Sequence, residues 1–348
     1  MKTVLFYGNF GRKGETISNG QTSKTVNFFN FVKNHSQHLN CVCFNTDSFC
    51  KNLLGNFIKL KALIKRCDTI VIFPGSVSSL NVFRIAYGRN TMPVFYPVVG
   101  GWIANKIKRN NKLVKFLKRF KCIYPETKGL ADELFKLGID NCTIIPTFTL
   151  RQTMEYDKLI SNYTNCKKDH VYKIIYFGRI TKSKGIYLAL DAIKEINDSQ
   201  NDYTLTMDYY GQFAKKEDFS SFSASLDDNI RYCGIMPDSE VWKISEYDFF
   251  IFPTFYHGEG MPACCIESLV FGTPIIASDW RFNKEIVIDG FNGFIFSLEK
   301  NNLKETIMKA IDSDIICLKK NAFLSGMKYL PDKAILPFIN DLEEVLNK

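Results

Sequence analysis

No apolar run in this 348-residue chain is long enough to cross a bilayer. The longest, Met92 to Ala104, is broken by Pro97, Gly100 and Gly101. The opening MKTVLFYGNFGRKGE has only five apolar residues before polar ones take over, so it reads as a first strand and not a signal peptide. These two absences predict a soluble intracellular protein. Cysteine is not lacking, with eleven residues, but Cys41 and Cys43 have no second pair to complete a zinc pattern. The expectation is buried, reduced thiols in apolar strands and helices. No fixed-period repeat and no low-complexity tract occurs. Acidic residues are scarce in one region: residues 1–150 hold 7 Asp/Glu against 22 Lys/Arg, and the rest hold 29 against 23. So strong a basic excess in one half points to an anionic partner such as a membrane surface, a nucleic acid or a phosphorylated substrate.

What is present is an alternation of short apolar runs and helical stretches. In the first half the runs are TVLFYG, LNCVCFN, DTIVIFPG, MPVFYPVVGG and NCTIIPTF. A polar, glycine-containing loop follows the first, a helix starts near Val26, and another covers Phe49 to Arg66. This pattern marks a parallel sheet covered on both faces. The polar stretch Arg151 to His170 reads as a connection. A second series follows: VYKIIYFGRI, a helix from about Lys184 to Asn197, YTLTMDYYG, EYDFFIFPTF, GTPIIAS, and a last amphipathic helix in DKAILPFINDLEEVLNK. The expected architecture is α/β, with doubly wound domains at 1–150 and 151–330 and a helix at 331–348 crossing back to the first.

Two stretches carry chemistry. In HGEGMPACCIES, Pro262 suits a first helical turn and Gly272-Thr273-Pro274 ends the helix. Glu259 then lies in the loop before the helix, beside the amides of Gly260, Met261 and Ala263, at a terminus that favours anions. Glu267 lies on the helix, on a face shared with Cys264, Val270 and Phe271, where a charge needs a hydrogen-bonding partner. In FGRITKSKG, a strand ends at Gly178, and Arg179 and Lys184 precede a helix. That arrangement suits a diphosphate held without metal. Taken alone, it fits a solvated basic loop equally well.

In order, FGRITKSKG, YYG, the long stretch from YCGIMPDSE through HGEGMPACCIESLVFGTPIIASD, and DGFNGFIF resemble the retaining nucleotide-sugar glycosyltransferases of family 4. The resemblance is close over about Tyr172 to Phe296 and looser before it. It implies the GT-B fold, two Rossmann-like domains facing a cleft, the first binding acceptor and the second the nucleotide-sugar. It gives Arg179 and Lys184 the donor diphosphate, Glu259 the transferring sugar, and Glu267 the ribose hydroxyls. The backbone at Cys233, Gly234 and Ile235 would hold the base. Gly178 and the turn Gly260, Met261, Pro262 and Ala263 would line the donor site. In the first domain, Gly8, Asn9, Gly11, Gln21 and Thr22, within the loop Gly8 to Lys24, resemble a nucleotide-facing loop. Retention of configuration by a front-face route is implied, with no cofactor and no metal. DSD at Asp312 to Asp314 reads as a surface turn.

One departure from the family stands out. Many members place a histidine after the fourth strand of the first domain, and here that place reads VVGGWIA, with Gly100 and Gly101. His257, beside Glu259, is a candidate substrate contact instead. A further stretch, Trp102 to Lys121, carries eight Lys/Arg and no acid, with Ile103, Ile107, Val114, Leu117 and Phe120 at helical spacing. It reads as one basic amphipathic helix, able to pack on the sheet and to lay Trp102, Lys106, Lys108, Arg109, Lys112, Lys115, Lys118 and Arg119 on anionic lipid. No nucleic-acid partner is expected, because aromatic interleaving is sparse. The expected activity is transfer from a UDP-sugar, or second a GDP-sugar, to a saccharide or lipid-linked saccharide acceptor in bacterial capsule or lipopolysaccharide assembly. The expected location is the cytoplasmic face of the inner membrane. A sugar phosphorylase, a nucleotide-sugar epimerase or a non-catalytic scaffold on the same fold are the alternatives.

Overall fold

The structure is a computed structural model that describes residues 1–11, 20–47, 49–199, 202–214, 219–299 and 302–347. The chain divides into two compact units, Met1–Leu150 with Pro331–Lys348, and Arg151–Leu330. The unit boundaries at 150/151 and 330/331 mean that the chain passes between units twice.

The first unit is a five-stranded parallel sheet in the order β2-β1-β3-β4-β5. Its strands are β1 (Thr3–Gly8), β2 (Asn40–Asn45), β3 (Thr69–Phe73), β4 (Val94–Pro97) and β5 (Cys122–Tyr124). Its helices are α1 (Gly20–His35), α2 (Leu53–Ile64), α3 (Val77–Tyr87), α4 (Ile103–Ile107), α5 (Asn111–Leu117) and α6 (Lys128–Phe135). β3 is buried throughout, as a central strand covered on both faces must be. α1 starts six residues before the expected Val26. Thr22, Thr25, Phe28 and Val32 form its buried face. The threonines hid the periodicity, but both are buried, and Thr25 Oγ1 donates to the Gln21 carbonyl at 3.0 Å. NCTIIPTF, expected as a strand, forms only a bridge between Ile123 and Cys142. Pro146, with no N–H, cannot extend that pairing. The edge strand is instead the three-residue CIY.

The basic stretch is two short helices and not one. The chain breaks between α4 and α5, where Asn110 Oδ1 accepts the Leu113 N–H at 3.1 Å and restarts the helix. Ile103, Ile107, Leu117 and Phe120 are buried.

The second unit has a six-stranded parallel sheet in the order β11-β10-β9-β6-β7-β8. It opens with α7 (Tyr156–Cys166), within the stretch expected as a connection. Leu159 and Tyr163 bury one face of α7, and Tyr163 donates to Asp248 Oδ1 at 2.6 Å. β6 (Val171–Phe177), α8 (Ile186–Asn197), β7 (Thr204–Tyr210), α9 (Phe219–Ala224) and β8 (Ile230–Tyr232) follow. Then come β9 (Phe249–Phe252), α10 (Ala263–Val270), β10 (Ile275–Ser278), β11 (Gly293–Phe296), α11 (Asn302–Ile311) and α12 (Ile315–Gly326). Asp314 caps α12 through Cys317 N, so DSD has a structural use.

α13 (Pro331–Ala334) and α14 (Leu336–Leu346) belong to the first unit. Phe338 of α14 meets the rings of Phe28 at 4.7 Å and of Phe95 and Tyr124 at 5.6 Å each. Tyr124 donates to Asp341 at 2.6 Å.

The thiols depart from expectation. Of the ten free cysteines described, Cys122 and Cys265 are buried, while Cys43, Cys233 and Cys317 are exposed. No described helix is long and apolar enough to cross a membrane.

Candidate donor site in the second unit

In an open parallel sheet, ligands bind outside the carboxyl ends of the strands where the strand order reverses. In the second unit β6 is flanked by β7 on one side and β9 on the other, so the reversal falls between β6 and β9. FGRITKSKG leaves β6 and the HGEG loop leaves β9, so both motifs emerge at that point.

The two loops are joined at three places. Gly185 has φ of +74°, and a Cβ there would lie 2.0 Å from the Pro253 carbonyl oxygen, so only glycine fits. Ser183 O accepts the Phe255 N–H at 2.9 Å. Lys184 Nζ meets Glu259 Oε2 at 2.5 Å. Thr254 Oγ1 donates to the same carboxylate oxygen at 2.9 Å. Thr254 is in turn fixed from β10, since Ser278 Oγ donates to its carbonyl at 2.5 Å. Glu259 is therefore a buried carboxylate, 7% exposed, whose charge is met by one lysine and one hydroxyl. The Lys184 ammonium also lies 5.2 Å from the Phe252 ring centre and 5.6 Å from that of Tyr256.

Arg179 is exposed, and its guanidinium carries no hydrogen bond or ion pair among the described residues. Its carbonyl is fixed by Tyr176 Oη at 2.7 Å. Beside it the ends of β6, β7 and β8 are drawn together by glycines. Gly178 N donates to Tyr210 O and Gly211 N to Gly234 O. A Cβ on Gly211 would lie 1.7 Å from Gly178 O. The turn Cys233-Gly234-Ile235 stays accessible, with Ile235 62% exposed. Gly260, Met261 and Pro262 are buried, Ala263 half-buried, and no side chain caps the start of α10.

Glu267 is buried on α10 as expected, and its partner is Arg151, Nε to Oε1, at 2.8 Å. Burial raises the Glu267 carboxyl above its usual range, Arg151 draws it back, and Asp238 adds a smaller upward push. His257 is exposed and sets its ring edgewise on Trp280 at 5.2 Å. Trp280 Nε1 donates to the Tyr256 carbonyl at 2.8 Å.

The remaining candidates lie in the first unit. Gly8 ends β1, Asn9 Oδ1 accepts Gly11 N at 2.8 Å, and Asn45 Nδ2 donates to Gly11 O at 2.6 Å. Gln21 packs against Gly75, and Thr22 is buried on α1. Residues 12–19 of the Gly8–Lys24 loop lie outside the described residues. At VVGG, Gly100 N donates to Glu126 Oε2 at 3.2 Å. Glu126 is buried and also accepts from Lys24 Nζ at 2.6 Å and Thr147 Oγ1 at 2.9 Å. Gly101, next to Gly100, is buried.

Sequence reasoning missed Arg151, Thr254, Trp280 and the Lys24–Glu126 pair. Only Thr254 carried a signal, as the polar residue closing an otherwise apolar strand run. No described group of three or more His, Cys, Asp or Glu could hold a metal ion.

Residues 164–322 match the family described as Glycosyl transferases group 1. Two curated proteins are similar over part of the chain. The amylovoran biosynthesis glycosyltransferase AmsK of Erwinia amylovora is 22% identical over 128 residues, 35% of this chain and 31% of that protein. An uncharacterized 41.2 kDa protein in the cps region of Klebsiella pneumoniae is 24% identical over 247 residues, 67% and 64% of the two chains. The chain thus spans between about a third and two thirds of the length of these curated relatives. Among solved structures, Anabaena HepE in complex with UDP and glucose superposes with a TM-score of 0.73 at 14% identity, covering 99% of this chain and all of that one. The fold is GT-B, two Rossmann-like parallel-sheet units, and the glycosyl transferase match falls within its second half.

Proposed function

We propose that the chain is a retaining glycosyltransferase of family 4 that moves a sugar from a UDP-sugar, or second a GDP-sugar, to a saccharide acceptor in bacterial surface polysaccharide synthesis. The observation that carries this reading is the Lys184–Glu259 pair, held where β6 and β9 part, with exposed Arg179 beside it. Two cations at strand ends would neutralise the departing diphosphate without a metal, which is typically a large catalytic term. Glu259 would contact the transferring sugar. Its Oε2 is already engaged twice, which favours an electrostatic and orienting role over that of a covalent nucleophile, and so a front-face route. Glu267 would take the ribose hydroxyls and the Cys233–Ile235 backbone the base. The first unit would bind the acceptor, with the Glu126 cluster standing where relatives use histidine. The UDP preference leans on the ligand of HepE, and the polysaccharide setting on the names of AmsK and the Klebsiella protein.

A lipid-linked acceptor at the inner face of the cytoplasmic membrane accounts for the basic first unit. Lys106, Lys108, Arg109, Lys112, Lys115 and Lys118 are exposed, while Trp102 Nε1 is tied to Val99 O and Arg119 to the carbonyls of Gly88 and Asn90. Exposed apolar side chains of this unit lie on other helices, Leu53, Leu54 and Ile58 on α2 together with Ile85 on α3 and Phe135 on α6.

Calorimetric titration of UDP, GDP and ADP in EDTA tests the donor site. One diphosphate, UDP first, is expected to bind most tightly. Binding of none by folded protein would remove the donor reading. Donor hydrolysis that survives Lys184→Ala would argue against catalysis at this site, and turnover that depends on phosphate would favour a phosphorylase.

A further inference from the structure

Arg151 is the first residue of the second unit, in a stretch with no motif. Its guanidinium makes three hydrogen bonds that can be traced to two partners. Nε donates to Glu267 Oε1 at 2.8 Å, and the two terminal nitrogens donate to Asp238, one to its carbonyl at 3.0 Å and one to Oδ1 at 2.9 Å. The two acids differ sharply. The Asp238 side chain is 91% exposed, and that of Glu267 is 12% exposed. Water already stabilises Asp238, so its bonds serve mainly to orient the guanidinium. Glu267 has little water, and α10 surrounds it with Ile266, Ser268, Leu269 and Val270, all buried. A carboxylate so placed keeps its charge only beside a fixed cation. Arg151 and Asp238 are the charged groups that face it.

We propose that Arg151 is a positioning residue for the nucleotide: it fixes Glu267 through Oε1 and keeps the carboxylate charged, leaving Oε2 to accept from the ribose hydroxyls. The proposal rests on the ribose reading of Glu267 given above. Its logic is that a protonated carboxyl offers one fewer acceptor and an added donor, so it would pair poorly with two hydroxyls that both donate. Arginine suits the task because its planar fork grips two partners at once and it does not lose its charge.

The test is UDP affinity measured across pH for the full chain and for Arg151→Gln, Arg151→Lys and Glu267→Gln. Titration of the UDP phosphate is common to all four and cancels in the comparison. Arg151→Gln is expected to bind UDP about tenfold more weakly at neutral pH, and its affinity should recover at higher pH than in the parent, because the carboxyl now loses its proton later. Arg151→Lys should restore the parental midpoint in part, since it returns the charge without the fork. Glu267→Gln should bind weakly with no such midpoint. Weak binding by Glu267→Gln alongside parental affinity and midpoint in Arg151→Gln would overturn the proposal. Parental binding by Glu267→Gln would instead sink the ribose reading beneath it. A uniform loss in Arg151→Gln with an unshifted midpoint, and no rescue by lysine, would mean that the arginine only supports the fold.

Discussion

Both units are doubly wound parallel sheets, of different strand order, and they handle charge in opposite ways. In the second, the charges at the strand ends are largely matched internally, Lys184 with Glu259 and Arg151 with Glu267. In the first, the segment from Phe49 to Lys121 carries fifteen Lys/Arg and a single acid, Asp68. The lysines of α4 and α5 stand in water. A matched site is poised for a ligand that exchanges one set of partners for another, as a nucleotide diphosphate would. An unmatched surface has no internal partner to lose, and attracts anions over a Debye length without needing defined geometry. The contrast separates recognition by fit from recognition by field.

The largest effect should follow from breaking the matched site. Lys184→Ala is expected to lower sugar transfer by about a hundredfold or more, the scale of losing one electrostatic catalyst. It should also cost the second unit about 1–3 kcal/mol, because Glu259 loses its buried cation. Initial rates and urea unfolding read the two effects apart, and a change in stability alone would leave the pair a structural device. Next, Gly185→Ala should strain the turn and push the β6 loop off Pro253, with a loss of about 2 kcal/mol or more and of donor binding together. Unchanged unfolding would mean that the loops are not stapled there.

A third test concerns a charge buried deeper in the second unit. Lys319 is 1% exposed and donates to the carbonyls of Ser245 and Tyr247. Burial lowers its pKa from the ordinary 10.5 to about 7, against the upward pull of Asp248 and with a further push from Lys167. Between those values the unfolded chain holds the proton and the folded chain does not, so stability should rise with pH above about 7. Lys319→Met should flatten that slope in urea midpoints taken between about pH 7 and pH 9.5; a slope unchanged by the substitution would assign it to other groups. The smallest effect on fold or turnover should come from the field. Lys112, Lys115 and Lys118 changed to Glu should leave melting within about 0.5 kcal/mol while reducing co-sedimentation with anionic vesicles. Retained binding would shift the membrane role to Leu53, Leu54 and Ile58.

The same contrast explains what could be read from the sequence. The α/β alternation and the meeting of the two motif loops at one sheet end were legible because parallel strands are short apolar runs and each motif's residues are close in sequence. Glu267 was recognised as needing a partner, but that partner lies 116 residues away in a stretch that looked like a linker. Glu126 was missed for a related reason, since its carboxylate is identified only by what folds around it. The basic helix was read as continuous because periodicity survives a break at Asn110, a residue that is at once a surface polar group and a cap. Thr22 and Thr25 hid the start of α1 because they are polar by type yet buried in place.

The passage of the chain out of the first unit and back bears on its birth at the ribosome. The first sheet is made early, and Phe28, Phe95 and Tyr124 already pack with Phe73, Phe148 and each other, yet the ring that completes their cluster, Phe338, is made near the end. The second unit, contiguous from Arg151 to Leu330, is complete before that. The unit encoded first is thus the one finished last, and its core is complete only when α14 docks.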